Sequence, residues 1–294
     1  MNPIICIAGP TASGKTALAV ELAQEYGGEV VSCDSMQVYK RMDIGTAKPT
    51  PEERQGIPHH MIDVAEPWED YSVSRYCREA TAAVEDILAR GKTAIIAGGT
   101  GLYMDSLIRG NDFAPFPSTG VRERLEAEAD RAGMEALLQR LREIDPEAAE
   151  RLHLSDRKRI IRALEVYLET GETITAHNRR TQSVPPRFSP IWLGLDFEQR
   201  AELYSRIDRR VDVMLEMGLV AEIQGLLSSG IPEKCTAMQA IGYKEFTAAL
   251  EGAGTIMEAA DQVRLSSRHY AKRQLTWFRR NKQMHWLLRK PGEG

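Results

Sequence analysis

Ile4-Ile5-Cys6-Ile7-Ala8 runs without a break into Gly9-Pro10-Thr11-Ala12-Ser13-Gly14-Lys15-Thr16, and Ala17-Leu18-Ala19-Val20-Glu21-Leu22-Ala23 follows directly. The first five residues are an apolar run of strand length, and the last seven repeat their apolar positions with a helical period. Between them stands a complete G-x-x-x-x-G-K-[ST] phosphate loop in the strand-loop-helix setting that the motif requires. Its glycines let backbone N–H groups turn inward on an anion, the helix N-terminus adds partial positive charge, and Lys15 adds a full one. Thr16 is placed to hold a Mg²⁺ ion bridging phosphate oxygens. The loop predicts a site for a di- or triphosphate, but it does not say which one or what becomes of it.

The setting predicts an α/β fold, a phosphate-loop NTPase-like doubly wound parallel sheet, in which residues just past the carboxyl ends of strands line the ligand crevice. Two further strand ends are then informative. Glu29-Val30-Val31-Ser32-Cys33 empties into Asp34-Ser35-Met36-Gln37-Val38-Tyr39, which sets Asp34 beside the phosphate loop. Lys92-Thr93-Ala94-Ile95-Ile96-Ala97 opens into Gly98-Gly99-Thr100-Gly101-Leu102-Tyr103. A motor or switch ATPase usually carries an acidic residue at the end of such a strand to orient Mg²⁺ and water. This strand ends in two glycines and a hydroxyl. Between the two strands lie a turn-rich Gly45-Thr46-Ala47-Lys48-Pro49 and a helix from Ser72 to Arg90, capped by Ser72 or Ser74 and stopped by Gly91. His59-His60 opens a short extended piece; adjacent side chains in such a piece point to opposite faces, which argues against a shared metal.

The composition changes beyond Asn111. Phe113-Ala114-Pro115-Phe116-Pro117 reads as a linker, and Val121 to about Leu168 holds only helical patterns, closed by the proline-rich stretch from Thr181 to Pro190. These features predict a small all-helical insertion, 113–189, in a core made of 1–112 and 190–294. Ile191-Trp192-Leu193-Gly194-Leu195 returns to strand, and helices follow over 198–217, 219–227, 236–250 and 256 to about 281. Arg206 and Arg210 share one face of the first, a geometry suited to clamping phosphate, while Asp208 and Asp212 share another.

Charge is uneven. From Asp261 to Gly294 nine Lys or Arg stand against two acids, giving +7 and leaving −11 for the rest of a chain whose formal charge is −4. Such asymmetry points to a polyanion meeting one end of the molecule, the alternative being a solvated helix face paired with acids elsewhere. Tyr270, Trp277 and Phe278 lie among these charges, where they suit unstacked bases or, at helical spacing, a core. With 43% hydrophobic residues and no stretch long and apolar enough for a bilayer, a soluble enzyme is expected. Residues 1–16 enter the fold with no signal segment, so the expected location is cytoplasmic, away from membranes. Cys6, Cys33, Cys77 and Cys235 have no metal-ligand or redox spacing and are expected to be reduced.

Taken in order, Gly9 to Thr16, Asp34 to Tyr39, Gly45 to Pro49, Gly98 to Tyr103 and Lys272-Arg273-Gln274-Leu275-Thr276-Trp277-Phe278-Arg279 closely resemble the bacterial tRNA dimethylallyltransferase (tRNA isopentenyltransferase) family over nearly the whole chain. The resemblance implies transfer of a prenyl group from dimethylallyl diphosphate to N6 of the adenosine 3′ of the anticodon, with diphosphate released. It implies that residues 9–16 grip the donor's diphosphate with Mg²⁺ on Thr16, that Asp34 is the general base, and that Arg210 and Lys15 stabilise the leaving group. Thr100 would touch the donor's bridging oxygen, and Gln37 would read an adenine edge. The tRNA anticodon stem-loop would be met by Asp34, Ser35, Met36, Gln37 and Thr100, by Lys158-Arg159-Ile160-Ile161-Arg162, by Gln239-Ala240-Ile241-Gly242-Tyr243-Lys244, and by Lys272 to Arg279. The chain ends without the zinc finger of longer members and is expected to act as a monomer. Competing readings are an adenylate isopentenyltransferase acting on free AMP, ADP or ATP, a small-molecule kinase, and a nucleotide-dependent RNA-binding switch without chemistry.

Overall fold

The computed structural model describes residues 4–110 and 119–290. The strands are β1 (Ile4–Ala8), β2 (Gly28–Ser32), β3 (His59–His60), β4 (Thr93–Gly98), β5 (Ile191–Phe197) and β6 (His285–Arg289). The helices are α1 (Lys15–Glu25), α2 (Pro51–Arg54), α3 (Val73–Ala89), α4 (Gly101–Arg109), α5 (Val121–Ala132), α6 (Met134–Ile144), α7 (Pro146–Glu150), α8 (Arg157–Thr170), α9 (Ile174–Ser183), α10 (Arg200–Glu216), α11 (Leu219–Ser228), α12 (Tyr243–Leu250) and α13 (Ile256–Phe278). The expected doubly wound sheet is present: all six strands are parallel, in the order β3-β2-β4-β1-β5-β6.

The chain divides into two compact units, 4–110 with 187–290, and 119–186. In the first, Ile5, Ile7, Val30, Ile95 and Leu195 of neighbouring strands pack with Ala19 and Ala23 of α1. The intervening Cys6, Val31 and Ile96 are also buried, so both sheet faces are covered, as a parallel sheet demands. Ala8 lies opposite Gly98 across the β1–β4 pair, which brings the phosphate loop and the Gly99–Thr100 turn out of the sheet side by side. Ser72, not Ser74, caps α3, accepting from Arg75 N–H.

The second unit holds Val121, Leu125, Leu137, Leu141, Ile160 and Leu164 around one apolar core. The architecture differs from the sequence pattern in several places. Arg187 and Phe188 belong to the first unit, where Arg187 pairs with Glu85 and Phe188 N–H donates to Ile108 O, so the insertion closes before 189. The linker expected at 113–117 lies outside the described residues. Helix α9 is an addition; Thr173 caps it by accepting from Ala176 N–H. The helix expected over 236–250 breaks at Gly242, whose φ of +99° no right-handed helix accommodates. Strand β6 is a further addition, and it extends the sheet beyond β5.

Candidate active site

The phosphate loop is held from several sides. Lys15 Nζ donates to Pro10 O at 2.6 Å, Arg206 Nε donates to Ala12 O at 3.1 Å, and Thr11 N–H donates to Gln274 Oε1 at 2.9 Å. Ala12 takes a left-handed φ of +62°, a conformation that side chains other than glycine seldom adopt and that costs energy unless the surroundings hold it. The Arg289 guanidinium of β6 lies against Gly14, where an added Cβ would stand 2.5 Å from Nη2. Ser13 Oγ is buried within the loop and lacks a hydrogen-bond partner. A loop so braced, with an orphaned buried hydroxyl, is built for a ligand rich in oxygens.

Arg206 and Arg210 share a face of α10, as their spacing required, but their tasks differ. Arg206 braces the loop backbone. Arg210 stands near Lys15, and burial chiefly, then this repulsion, pushes the Lys15 ammonium down to about 7. Burial likewise lowers Arg210, against the attraction of Asp34. The Asp34 carboxylate thus acts on both cations. Its Oδ1 accepts from Met36 N–H at 2.9 Å and Gln37 N–H at 3.4 Å, capping the turn after β2. That turn does not use Oδ2.

Thr100 Oγ1 accepts from Ser35 N–H at 3.0 Å and lies 3.4 Å from Ser35 Oγ, which joins the ends of β2 and β4. Burial above all raises the Tyr270 phenol of α13 to about 12, with Thr100 acting the other way. The expectation that Gln37 reads an adenine edge with a bidentate pair is corrected by the geometry. Its Oε1 accepts from Ser32 Oγ at 2.8 Å, and its Nε2 donates to Thr46 O at 3.3 Å and Ala47 O at 3.1 Å. With both amide hydrogens in use, Gln37 ties the 45–49 turn to the site instead.

The three predicted RNA-facing stretches split between surface and core. In the second unit Ile160 and Ile161 are buried, because their helical phase faces the core, while Lys158 and Arg159 are exposed. A groove of about 660 Å³ there is lined by Arg122, Arg151, Lys158, Arg159, Arg162 and Arg179, with Glu147 among them paired to Arg151 and Arg179. In the first unit Gln239 and Lys244 are exposed, Ile241 is half-buried, and Ala240, Gly242 and Tyr243 are buried. Tyr243 donates to Glu222 Oε1 at 2.6 Å; Glu222 in turn accepts the N–H groups of Asp43, Ile44 and Gly45. Lys272, Arg273 and Thr276 of α13 and Arg279 and Arg280 just past its end are exposed, whereas Gln274, Leu275 and Phe278 turn inward and leave no side chain for RNA. Trp277 is half-buried, donating to Asp105 Oδ2 at 2.9 Å with the Arg280 guanidinium 4.0 Å from its ring centroid.

Part of the C-terminal charge excess is paired internally. Arg264 bridges Asp212 and Asp261, Arg268 pairs with Asp208, and Arg279 with Asp196 at 2.8 Å. His60 pairs with the buried Glu29, which Arg90 above all, with Lys92 and His60, holds well below the usual carboxylate range. Among the described residues no cluster of His, Cys, Asp or Glu could hold a metal ion, and no helix is long and apolar enough to cross a membrane. All four cysteines are free thiols.

An anion cradle with a carboxylate facing it, and Gly-Gly-Thr where a nucleotide hydrolase carries an acid, places the molecule among phosphate-loop transferases. Residues 37–281 match the profile of the family described as IPP transferase. The chain is 49% identical over 285 residues to the tRNA dimethylallyltransferase of Carboxydothermus hydrogenoformans, covering 97% of this chain and 91% of the relative. It is 48% identical over 284 residues to tRNA dimethylallyltransferase 2 of Geotalea uraniireducens, with the same coverage of each. The crystal structure of the full-length tRNA isopentenylpyrophosphate transferase from Bacillus halodurans is 41% identical, with a TM-score of 0.74 over 100% of this chain and 92% of that one. A eukaryotic dimethylallyltransferase acting on tRNA is 30% identical with a TM-score of 0.81, covering 98% of this chain and 74% of that one. The chain belongs to the IPP transferase family.

The structure brings the expected Asp34, Lys15 and Arg210 within electrostatic reach of one another and sets Thr100 against Ser35. Sequence reasoning misses Arg289, because it misses β6.

Proposed function

We propose that the protein transfers the dimethylallyl group of dimethylallyl diphosphate to N6 of the adenosine 3′ of the anticodon in tRNA and releases diphosphate. The observation that carries this reading is the pairing at the strand ends. A carboxylate, Asp34, ends β2 facing Lys15 and Arg210, while β4 ends in Gly98-Gly99-Thr100 and offers no acid to activate water. The site is therefore arranged to accept a proton beside a leaving anion.

Each part then has a task. An adenine N6 lone pair is delocalised into its ring, so the amine attacks only as an acceptor draws on its proton. Asp34 Oδ2 takes that proton as the N6–C1 bond forms, a contribution of about 10²–10⁴ in rate. The C1–O bond breaks with its electron pair on the diphosphate, where the loop N–H groups, Lys15 and Arg210 meet the developing charge. The Thr100 hydroxyl, held at the end of β4 against Ser35, would meet the bridging oxygen. Magnesium fits the residues present: it keeps water and phosphate oxygens as most of its ligands, so one hydroxyl, Thr16, suffices without a carboxylate cage. When bound it would supply further positive charge to the leaving diphosphate.

The acceptor adenine must leave its stack to reach the ends of β2 and β4, which requires base flipping. Lys272 and Arg273 on the outer face of α13, Arg280 just past its end, and the basic groove of the second unit are the surfaces offered to RNA phosphates. The test is incubation with labelled dimethylallyl diphosphate, Mg²⁺ and an unmodified anticodon stem-loop, with AMP and ATP as competing acceptors. Label is expected on the RNA adenine alone; label on free nucleotide would favour the adenylate isopentenyltransferase reading.

A further inference from the structure

Gln274 sits among the charges of the C-terminal helix yet is only 5% exposed. Leu275 packs with Ala271, Phe197, Leu203 and Ile207, so the helix is anchored at the level of this amide. Oε1 accepts from Thr11 N–H at 2.9 Å, and Nε2 donates to Gly99 O at 2.9 Å. Thr11 is the third residue of the phosphate loop, and Gly99 immediately precedes Thr100. One side chain therefore spans the two loops that leave β1 and β4 side by side. The approach is close: a Cβ on Gly99 would stand 2.1 Å from Nε2, so a larger residue there would push the amide away.

The chemistry of the span is restrictive. Thr11, half-buried, presents a donor, and the buried Gly99 an acceptor. A neutral primary amide answers both at once. A carboxylate of the same length would set its charge against the Gly99 carbonyl, and an apolar side chain would leave both backbone groups unsatisfied.

We propose that Gln274 is a positioning residue for the donor: it locks the phosphate loop to the Thr100 turn and ties both to the helix whose outer face carries Lys272, Arg273 and Thr276. The inference rests on the transferase reading above and adds a residue whose place in a basic, RNA-facing run suggests a different role. Its consequence is a division of labour along α13, in which exposed cations serve RNA and the buried amide serves the diphosphate.

The experiment compares wild type with Gln274→Glu, which preserves size and polarity, and Gln274→Met, which preserves length. Three quantities are measured: binding of inorganic diphosphate with Mg²⁺ by calorimetry in the absence of RNA, binding of an anticodon stem-loop in the absence of donor, and steady-state KM and kcat for the donor. Both variants are expected to weaken diphosphate binding by about tenfold, with Glu the worse, and to raise the donor KM. Stem-loop affinity should stay within about twofold of wild type. Loss of stem-loop binding with diphosphate binding intact would overturn the inference, as would unchanged diphosphate binding in a folded Gln274→Glu protein. Wild-type protein that binds no diphosphate would instead overturn the transferase reading, and this inference with it.

Discussion

Donor binding should draw a proton onto Lys15. In the free protein, burial and the nearby Arg210 hold its ammonium at about 7, with only Asp34 acting the other way. At pH 8 a group with that value is about nine-tenths neutral. A diphosphate placed between Lys15, Arg210 and the loop amides reverses the balance, restoring the ammonium toward its ordinary range near 10.4. Binding at pH 8 should therefore take up about 0.9 proton at this residue, and affinity should fall about tenfold per pH unit above 7. The assay is calorimetric titration with dimethylallyl diphosphate in buffers of different ionisation enthalpy, which yields the number of protons exchanged. The donor's own titration is common to all variants, so the difference between wild type and Lys15→Met isolates the lysine. Equal proton uptake by the two proteins at pH 8 would refute the reasoning.

Asp34→Asn should retain the turn, since the amide oxygen still accepts from Met36 N–H, yet lose about 10²–10⁴ in kcat with donor affinity preserved; near-normal turnover would remove Asp34 as the base. Gly101→Ala should destabilise by about 1–3 kcal/mol in urea unfolding, because an added Cβ would stand 2.2 Å from Trp277 Cδ1 and force the indole off Asp105. Helix propensity alone predicts the opposite sign, a gain of up to about 1 kcal/mol. Lys272→Ala with Arg273→Ala should flatten the salt dependence of stem-loop binding by about one unit of slope for each phosphate no longer neutralised, leaving diphosphate binding unchanged.

The parts of the site that are legible in the sequence are those in which chemistry follows local order. The strand-loop-helix around Lys15 is one, and the spacing that turns Arg206 and Arg210 the same way is another. Gln37 escapes such reasoning because its amide partners, Thr46 and Ala47, lie nine and ten residues away in a loop whose path no local pattern encodes. Strand β6 is an edge strand with one neighbour and exposed Leu287 and Leu288, so it lacks the alternation that marks a half-buried strand. Arg289 is hidden with it. Gln274 is a different case, because its signal is present: Ala271, Gln274, Leu275 and Phe278 follow i, i+3, i+4, i+7, the phase of a buried helical face. Surrounding charge obscures that phase, and for the same reason Leu275 and Phe278 read as RNA-facing when they are not. Likewise Ile160, Ile161 and Tyr243 sit in stretches that resemble RNA-binding segments as stretches, while burial sorts them residue by residue.

The account turns on what the phosphate loop is for, and the fate of the phosphates tests it most directly. In one reaction containing dimethylallyl diphosphate, ATP, Mg²⁺ and unmodified anticodon stem-loop, diphosphate and orthophosphate are quantified alongside the mass of the digested nucleosides. One diphosphate should be released for each prenylated adenosine formed, with ATP intact. Orthophosphate accumulating from ATP while the RNA adenosines keep their original mass would contradict it.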